Sequence, residues 1–285
     1  MVDFLAKRVR EYKIEVDEFK AHLKDDLNEV HLIISPHFDD TVLSLGGFLA
    51  SAQSKQIYII NIFGGKPKIP ISSKWDRKCG FKNSGEAVPV RIAEDEIALS
   101  FLGISESNRI NYNYLDRQYR DKLKEKYFSQ NELETKIKID LLSFLSKHRG
   151  KTFFIYVPIV SKHVDHKIVT SAVMSMISDI NNCSVYFYQD ILYTASLISE
   201  NNNDFLYPKK SLEKELKIRV KPLYIKVDKQ ANKKKKKAIK FYRSQYPKLK
   251  PHLKRANKVV KKQLKFFSIL EKSSEIIYSL DNTQE

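Results

Sequence analysis

The stretch Ile34-Ser-Pro-His-Phe-Asp-Asp-Thr-Val-Leu43 decides how this chain folds. The apolar run His31-Leu-Ile-Ile34 leads into it and reads as a buried strand, and a helical pattern carrying Gly46-Gly47 leads out of it. Between the two sits His37-x-Asp39-Asp40, one imidazole and two carboxylates at a strand-to-helix turn. Turns at the carboxyl ends of parallel strands are where α/β proteins build ligand sites. An imidazole beside two acids is also a natural start for a metal site. An Asp at such a junction is equally a common helix N-cap, so this motif alone leaves both readings open.

Outward from the turn, strand and helix patterns alternate. Ile57–Phe63, Thr152–Val157 and Ser184–Tyr188 read as buried strands, and Arg109–Leu115 as a short one. Helical patterns cover Thr41–Ser54, Arg91–Leu102 (closed by Gly103), Leu133–Lys147 and Asp165–Asn181. A leading helix is expected from Met1 to Asn28, and two helices, Gln230–Ser244 and His252–Leu280, are expected to close the chain. The alternation predicts an α/β fold, a mostly parallel sheet with helices on both faces. The long stretch Gly64–Val90, which holds the only Trp, Trp75, reads as a functional cover or an insertion.

Composition narrows the class. With 42% apolar residues in 285, the chain can bury a large core. No apolar run approaches the ~20 residues of a membrane helix, and the first twenty residues lack a signal-peptide pattern, so a soluble, cytoplasmic protein is expected. Two cysteines, Cys79 and Cys183, give no disulfide framework or thiolate zinc site. The net charge of +17 is concentrated: residues 209–265 hold 23 Lys/Arg against three acids, and residues 1–208 are neutral. The expected organisation is a catalytic α/β domain over 1–208 and a basic, mainly helical extension over 209–285. The bland reading of the lysines, including Lys233–Lys237, is a solvated helical face. The sharper one is an anionic neighbour: a phosphate-bearing sugar, or an anionic membrane surface to which the protein is peripheral. Nucleic acid is disfavoured, because no helix-turn-helix, RRM or KH pattern is present.

A second constellation, His163-Val-Asp165-His166, also follows a buried strand and opens a helix. Two such turns converging on one sheet edge would supply two His and one Asp, leaving a position open for water as in catalytic zinc sites. Asp39, beside a ligand but projecting differently, would then take a proton from that water. A two-His-one-carboxylate iron site is an alternative, although such oxygenases are typically β-rich. The remaining histidines, His22, His31, His148 and His252, look unremarkable.

These residues carry a resemblance. Pro36-His37-Phe38-Asp39-Asp40 is similar to the Pro-His-Pro-Asp-Asp signature of the PIG-L/LmbE-like zinc N-deacetylases, and His163-Val-Asp165-His166 to their His-x-Asp-His motif. Arg91-Ile-Ala-Glu94, Leu115-Asp116 with Tyr119-Arg120, Tyr188-Gln-Asp190-Ile-Leu-Tyr193 and Tyr242-Arg-Ser-Gln245 resemble further family segments, and the likeness spans roughly residues 30 to 246. The resemblance implies a Rossmann-like fold with His37, Asp40 and His166 as ligands of Zn2+, or of another divalent metal such as Fe2+. It implies Asp39 as general base, His163 as oxyanion or leaving-group partner, Asp165 as the buttress of that imidazole, and Arg91 and Asp116 as sugar contacts. Phe38 for Pro, Thr41 for Glu, and Gln189 and Ile191 for Glu and Pro depart from the pattern.

The implied activity is metal-dependent hydrolysis of an N-acetyl group from an N-acetylated amino sugar (a GlcNAc-type glycoside, nucleotide sugar or lipid-linked sugar), releasing acetate. The competing class is a non-catalytic protein that binds anionic surfaces or nucleic acid on a deacetylase-like scaffold. The sequence leaves the sugar, the oligomeric state and the pathway open.

Overall fold

The computed structural model describes residues 16–19, 28–52, 56–123, 127–159, 162–270 and 272–281. Strands β1 (Asp17–Glu18), β2 (Glu29–Ser35), β3 (Gln56–Asn61), β4 (Arg109–Asn111), β5 (Thr152–Pro158), β6 (Cys183–Tyr188), β7 (Val220–Ile225) and β8 (Glu275–Leu280) form one sheet. Its order is β1-β7-β8-β6-β5-β2-β3-β4. All neighbours are parallel except β8, which runs antiparallel to both β6 and β7. The helices are α1 (Asp40–Ser51), α2 (Lys74–Lys78), α3 (Ser84–Phe101), α4 (Arg117–Arg120), α5 (Gln130–Ser146), α6 (Val164–Met174), α7 (Ile191–Glu200), α8 (Tyr207–Leu216), α9 (Lys229–Ala238) and α10 (Tyr246–Phe266).

The central strands β2, β3 and β5 are largely apolar because both faces are covered, as in parallel sheets generally. Side chains alternate between faces. Val30, Leu32 and Ile34 of β2 join the core with Leu133, Ile137 and Leu141 of α5 and Val169 and Val173 of α6. Ile33 joins the opposite core with Val42, Leu45 and Leu49 of α1 and Ala98 and Leu99 of α3. From β2 the chain moves outward to β3 and β4, then returns to β5 on the other side of β2. The carboxyl ends of β2 and β5 therefore flank a topological switch point, where a ligand crevice opens. The turns carrying His37 and His163 leave from those two ends.

The α/β class and the parallel sheet with helices on both faces are as expected. Several elements differ. Most of the leading helix expected over residues 1–28 lies outside the described residues, and its described part, Asp17–Glu18, is a strand pairing with β7. α3 starts at Ser84, well before the expected Arg91, and runs through Pro89. Much of the stretch read as a loop is thus helix. The closing helix expected to reach Leu280 ends at Phe266, and Ser268 takes φ +57°. β8 follows, with Ile277 and Tyr278 fully buried against β6 and β7. β7 lies in a segment read as non-strand. The basic segment after residue 208 is thus not only helical; it supplies two strands to the sheet.

One contact ties that segment to α1. Lys235 Nζ donates to Glu275 Oε1 at 2.6 Å and to the Ser44 carbonyl at 3.1 Å. The same carboxylate accepts the backbone N–H groups of Gly47 and Phe48, each at 2.8 Å. Ser44 C=O and Phe48 N–H are acceptor and donor of one ladder bond in an ordinary helix, and the buried ion pair engages both. A Cβ on Gly47 would lie 2.7 Å from Val227 and 2.8 Å from Glu275, and one on Gly46 2.9 Å from Lys235. The glycine pair is what lets the ion pair reach the backbone of α1.

Candidate active site

Asp39 occupies the N-cap position of α1, yet its side chain makes no cap bond. Asp165 caps nothing either, since the cap of α6 is His163, whose Nδ1 accepts the backbone N–H of Asp165 at 3.2 Å. Asp40, the first residue of α1, turns back on its own turn: Oδ2 accepts the His37 backbone N–H at 3.0 Å and lies 3.1 Å from His37 Nδ1.

The two turns meet. His166 Nε2 lies 3.3 Å from Asp40 Oδ2, and His37 Nε2 lies 3.1 Å from Asp165 Oδ2 and 3.9 Å from Asp116 Oδ2. Among the described residues, two groups of three can present ligand atoms within 4.8 Å of one another: His37, Asp40 and His166, all buried, and His37, His163 and Asp165. Charge separates them. Arg120 donates to Asp165 Oδ1 at 2.5 Å, and the Arg117 N–H donates to Oδ2 at 3.0 Å. A carboxylate already neutralised by a guanidinium is a poor cation ligand. Asp40 has no such arginine, and the His166 ring is fully buried. Its nitrogens lie 3.3 Å from Asp40 and 3.0 Å from Asp190, but neither is aligned as a hydrogen bond. Buried ring nitrogens facing carboxylates without that alignment suit a cation between them.

The electrostatics agree. Burial lowers the pKa of His37, but the carboxylates of Asp116, Asp165 and Asp40 outweigh it and hold the pKa well above the imidazole range. Burial likewise opposes Asp40 and Asp190 at His166, whose pKa still rises to about 9. Asp40 is held well below the carboxylate range by His166 and His37, against its burial. The cluster demands positive charge, which a divalent cation would supply. Asp39 differs: burial, then the charge of Asp40, pushes it up to about 6, as suits a proton acceptor. Burial, His37 and His166 push His163 down to about 4. A neutral ring whose Nδ1 accepts a backbone N–H carries its proton on Nε2.

Asp165 fixes His163 through its backbone N–H, while its carboxylate is drawn to His37 and Arg120, the nearest positive groups. Arg91 and Asp116 are brought together, with Nη1 3.6 Å from Oδ2. They line one cavity of about 470 Å³ with His37, Asp39, Asp40 and His163. Phe38, the departure from Pro, is buried under the Arg91 guanidinium, 5.8 Å from its ring centre. Gln189, just past β6, donates to the Tyr278 hydroxyl on the neighbouring β8 at 2.8 Å.

Sequence reasoning missed four contributors. Asp190 faces His166 through Oδ2 while Oδ1 caps α7. Arg120 holds Asp165. His252 and Arg255 of α10 line the cavity from the far side. The first two stood in quoted motifs without a role, whereas nothing local marks the last two, which arrive only by helix packing.

Comparison with known families now becomes specific. The profile matching residues 32–177, a little over half of the chain, is described as PIG-L, GlcNAc-PI de-N-acetylase. The chain belongs to the PIG-L family. No match is found among curated protein sequences. Solved structures share the fold of this PIG-L chain. The A40926 pseudoaglycone deacetylase Dbv21 is 23% identical, with a TM-score of 0.69 over 91% of this chain and 100% of its own. The zinc-inhibited form of teicoplanin deacetylase Orf2 is 20% identical, with a TM-score of 0.70 over 90% and 100%. N,N'-diacetylchitobiose deacetylase from Pyrococcus horikoshii is 17% identical, with a TM-score of 0.53 over 97% and 91%.

Proposed function

We propose that the protein is a metal-dependent N-deacetylase that hydrolyses the acetamido group of an N-acetylated amino sugar and releases acetate. The observation that carries this reading is the convergence of His37, Asp40 and His166 on one another, with His37 and Asp40 lining the same cavity as Asp39 and His163. Family membership and neighbours named as deacetylases support it.

In this reading His37, Asp40 and His166 hold the cation. When bound, a divalent ion such as Zn2+ supplies Lewis acidity, which lowers the pKa of water to about 7 and polarises a carbonyl. Asp39 accepts the proton of the attacking water. His163 Nε2–H donates a hydrogen bond to the oxygen on which negative charge develops, where a preorganised donor is worth most. Arg120 and the Arg117 N–H fix Asp165, which keeps the His37 ring in place. Arg91 and Asp116 offer a donor and an acceptor to sugar hydroxyls. Trp75 and Tyr193, which also line the cavity, give the apolar faces a sugar ring packs on.

The test is acetate release from a panel of N-acetylated glycosides, nucleotide sugars and lipid-linked sugars, with metal content measured on the same protein. Because one neighbour is named as a zinc-inhibited form, Zn2+ and Fe2+ are each supplied at one equivalent and in excess. Acetate release that requires bound metal supports the reading. Metal-loaded protein that releases acetate from none of them sinks it.

A further inference from the structure

A second cavity, of about 440 Å³, lies behind α1 and shares only Leu43 with the first. Its walls come from α1, α9, α10 and the turn before β8, and six of its lining residues are lysines. Lys235 is committed to Glu275 and Ser44. The others, Lys236, Lys254, Lys258, Lys261 and Lys272, have no carboxylate partner among the described residues. The single acid in the lining, Glu275, is already met by two backbone N–H groups and Lys235. The cavity is therefore a concave surface with several ammonium groups and no free counter-charge, an arrangement that repels itself until an anion enters.

A second, independent observation points the same way. Ser44 and Ser274 both line this cavity. They are only 6% and 4% exposed, and neither hydroxyl has a hydrogen-bond partner among the described residues. Buried hydroxyls are ordinarily satisfied, and leaving one unpaired costs about 1–3 kcal/mol. Hydroxyl donors from two elements beside several ammonium groups are what a multiply charged oxyanion uses.

We propose that this cavity is a binding site for a compact ligand bearing phosphate groups, separate from the reaction cavity. It goes beyond the deacetylase reading and stands without it. A phosphate presents three acceptor oxygens at once, so it engages lysines of α9 and α10 and both serine hydroxyls together. Lysine binds such groups as a mobile point charge. Gln189 and Asn232 are also in the lining, with amides that already donate to the Tyr278 and Ser273 hydroxyls.

The test uses the full chain and two probes: inorganic pyrophosphate followed by titration calorimetry, and phosphatidylcholine vesicles with and without phosphatidic acid followed by sedimentation. Two variants are used. The double substitution Lys258→Glu with Lys261→Glu changes exposed positions. Ser274→Ala removes one unpaired hydroxyl and leaves the fold unstrained. Saturable pyrophosphate binding is expected, with both variants weakening it by about tenfold or more, the worth of one hydrogen bond to a charged group. Vesicle binding that needs phosphatidic acid and is weakened by both variants identifies a lipid headgroup as the source of the same chemistry. Vesicle binding absent alongside tight pyrophosphate binding identifies a free phosphate compound. Absence of pyrophosphate binding overturns the proposal. So does binding weakened by charge reversal but indifferent to Ser274→Ala, since that is diffuse attraction to a basic surface.

Discussion

The Tyr242 hydroxyl has one proton and two oxygens to satisfy, the Phe38 carbonyl at 3.0 Å and Asp95 Oδ1 at 2.6 Å. Both contacts hold only if Asp95 is protonated and donates to Tyr242, which then donates to Phe38. Burial above all pushes Asp95 up to about 8, although Tyr242 and Asn61, paired with its two oxygens, act to hold it down. The neutral acid thus anchors the backbone of the His37 turn. The sign of its pH effect follows. Between about 4 and about 8 the folded chain holds a proton that the unfolded chain has released, so this group's contribution to stability is full below about 4 and is lost as pH rises through about 8. Asp95→Asn, which keeps a donor at that position, should show a melting temperature that declines less than wild type over this range; equal declines by thermal unfolding would refute the protonated state. The other residue-scale predictions concern the proposed chemistry. Asp39→Asn should retain metal while losing about 10²–10⁴-fold in acetate release, whereas His166→Ala should lose the metal as well. Asp190→Asn should weaken metal affinity by about 10–100-fold through the orientation of His166, measured by competition with a chromogenic chelator. Unchanged affinity would leave Asp190 as a helix cap only.

At the scale of elements, α1 carries two demands on one segment. Its first turn presents Asp39 and Asp40 to the cavity, and its middle opens to the Lys235–Glu275 pair. In an exposed helix, Gly→Ala stabilises by about 0.5–1 kcal/mol. At Gly47 the added methyl would overlap Val227 and Glu275, and overpacking of this kind costs about 1–3 kcal/mol. Gly47→Ala is therefore expected to destabilise despite its better helix propensity, read by denaturant midpoint; a midpoint raised by the change would mean that α9 and β8 yield easily. The pattern of β2 and the motif around His37 made α1 legible from sequence. The reason for its glycines was not legible, because the groups that require them lie nearly two hundred residues or more along the chain. The lysine tract is similar. Lys233–Lys237 reads locally as a solvated face, and Lys233, Lys236 and Lys237 are exposed, but Lys235 is drawn in by a carboxylate on a strand that the helical pattern concealed.

For the whole molecule, the consequential fact is where the C-terminal segment goes. β8 fills the place between β6 and β7, and β7 carries β1. A chain ended after residue 208 would leave β6 with an unpaired edge and uncover apolar side chains of both cores, a template for aggregation. Such a truncation is expected to be insoluble, and a soluble product with native-like circular dichroism would show that the first 208 residues fold alone. The sequence by itself determined the α/β class, the parallel strands and the pairing of two His/Asp turns, since each rests on local periodicity and on residues adjacent in the chain. The absence of a long apolar run agrees with the structure, in which no helix among the described residues is long and apolar enough to cross a membrane. Only the tertiary structure decided which carboxylate faces which imidazole, that Asp165 serves His37 more than His163, and that His252 and Arg255 reach the reaction cavity. It alone decided that the surplus lysines gather around a second hollow. Those outcomes depend on contacts between distant segments, where burial sets the strength of every charge, and a linear pattern carries no record of burial.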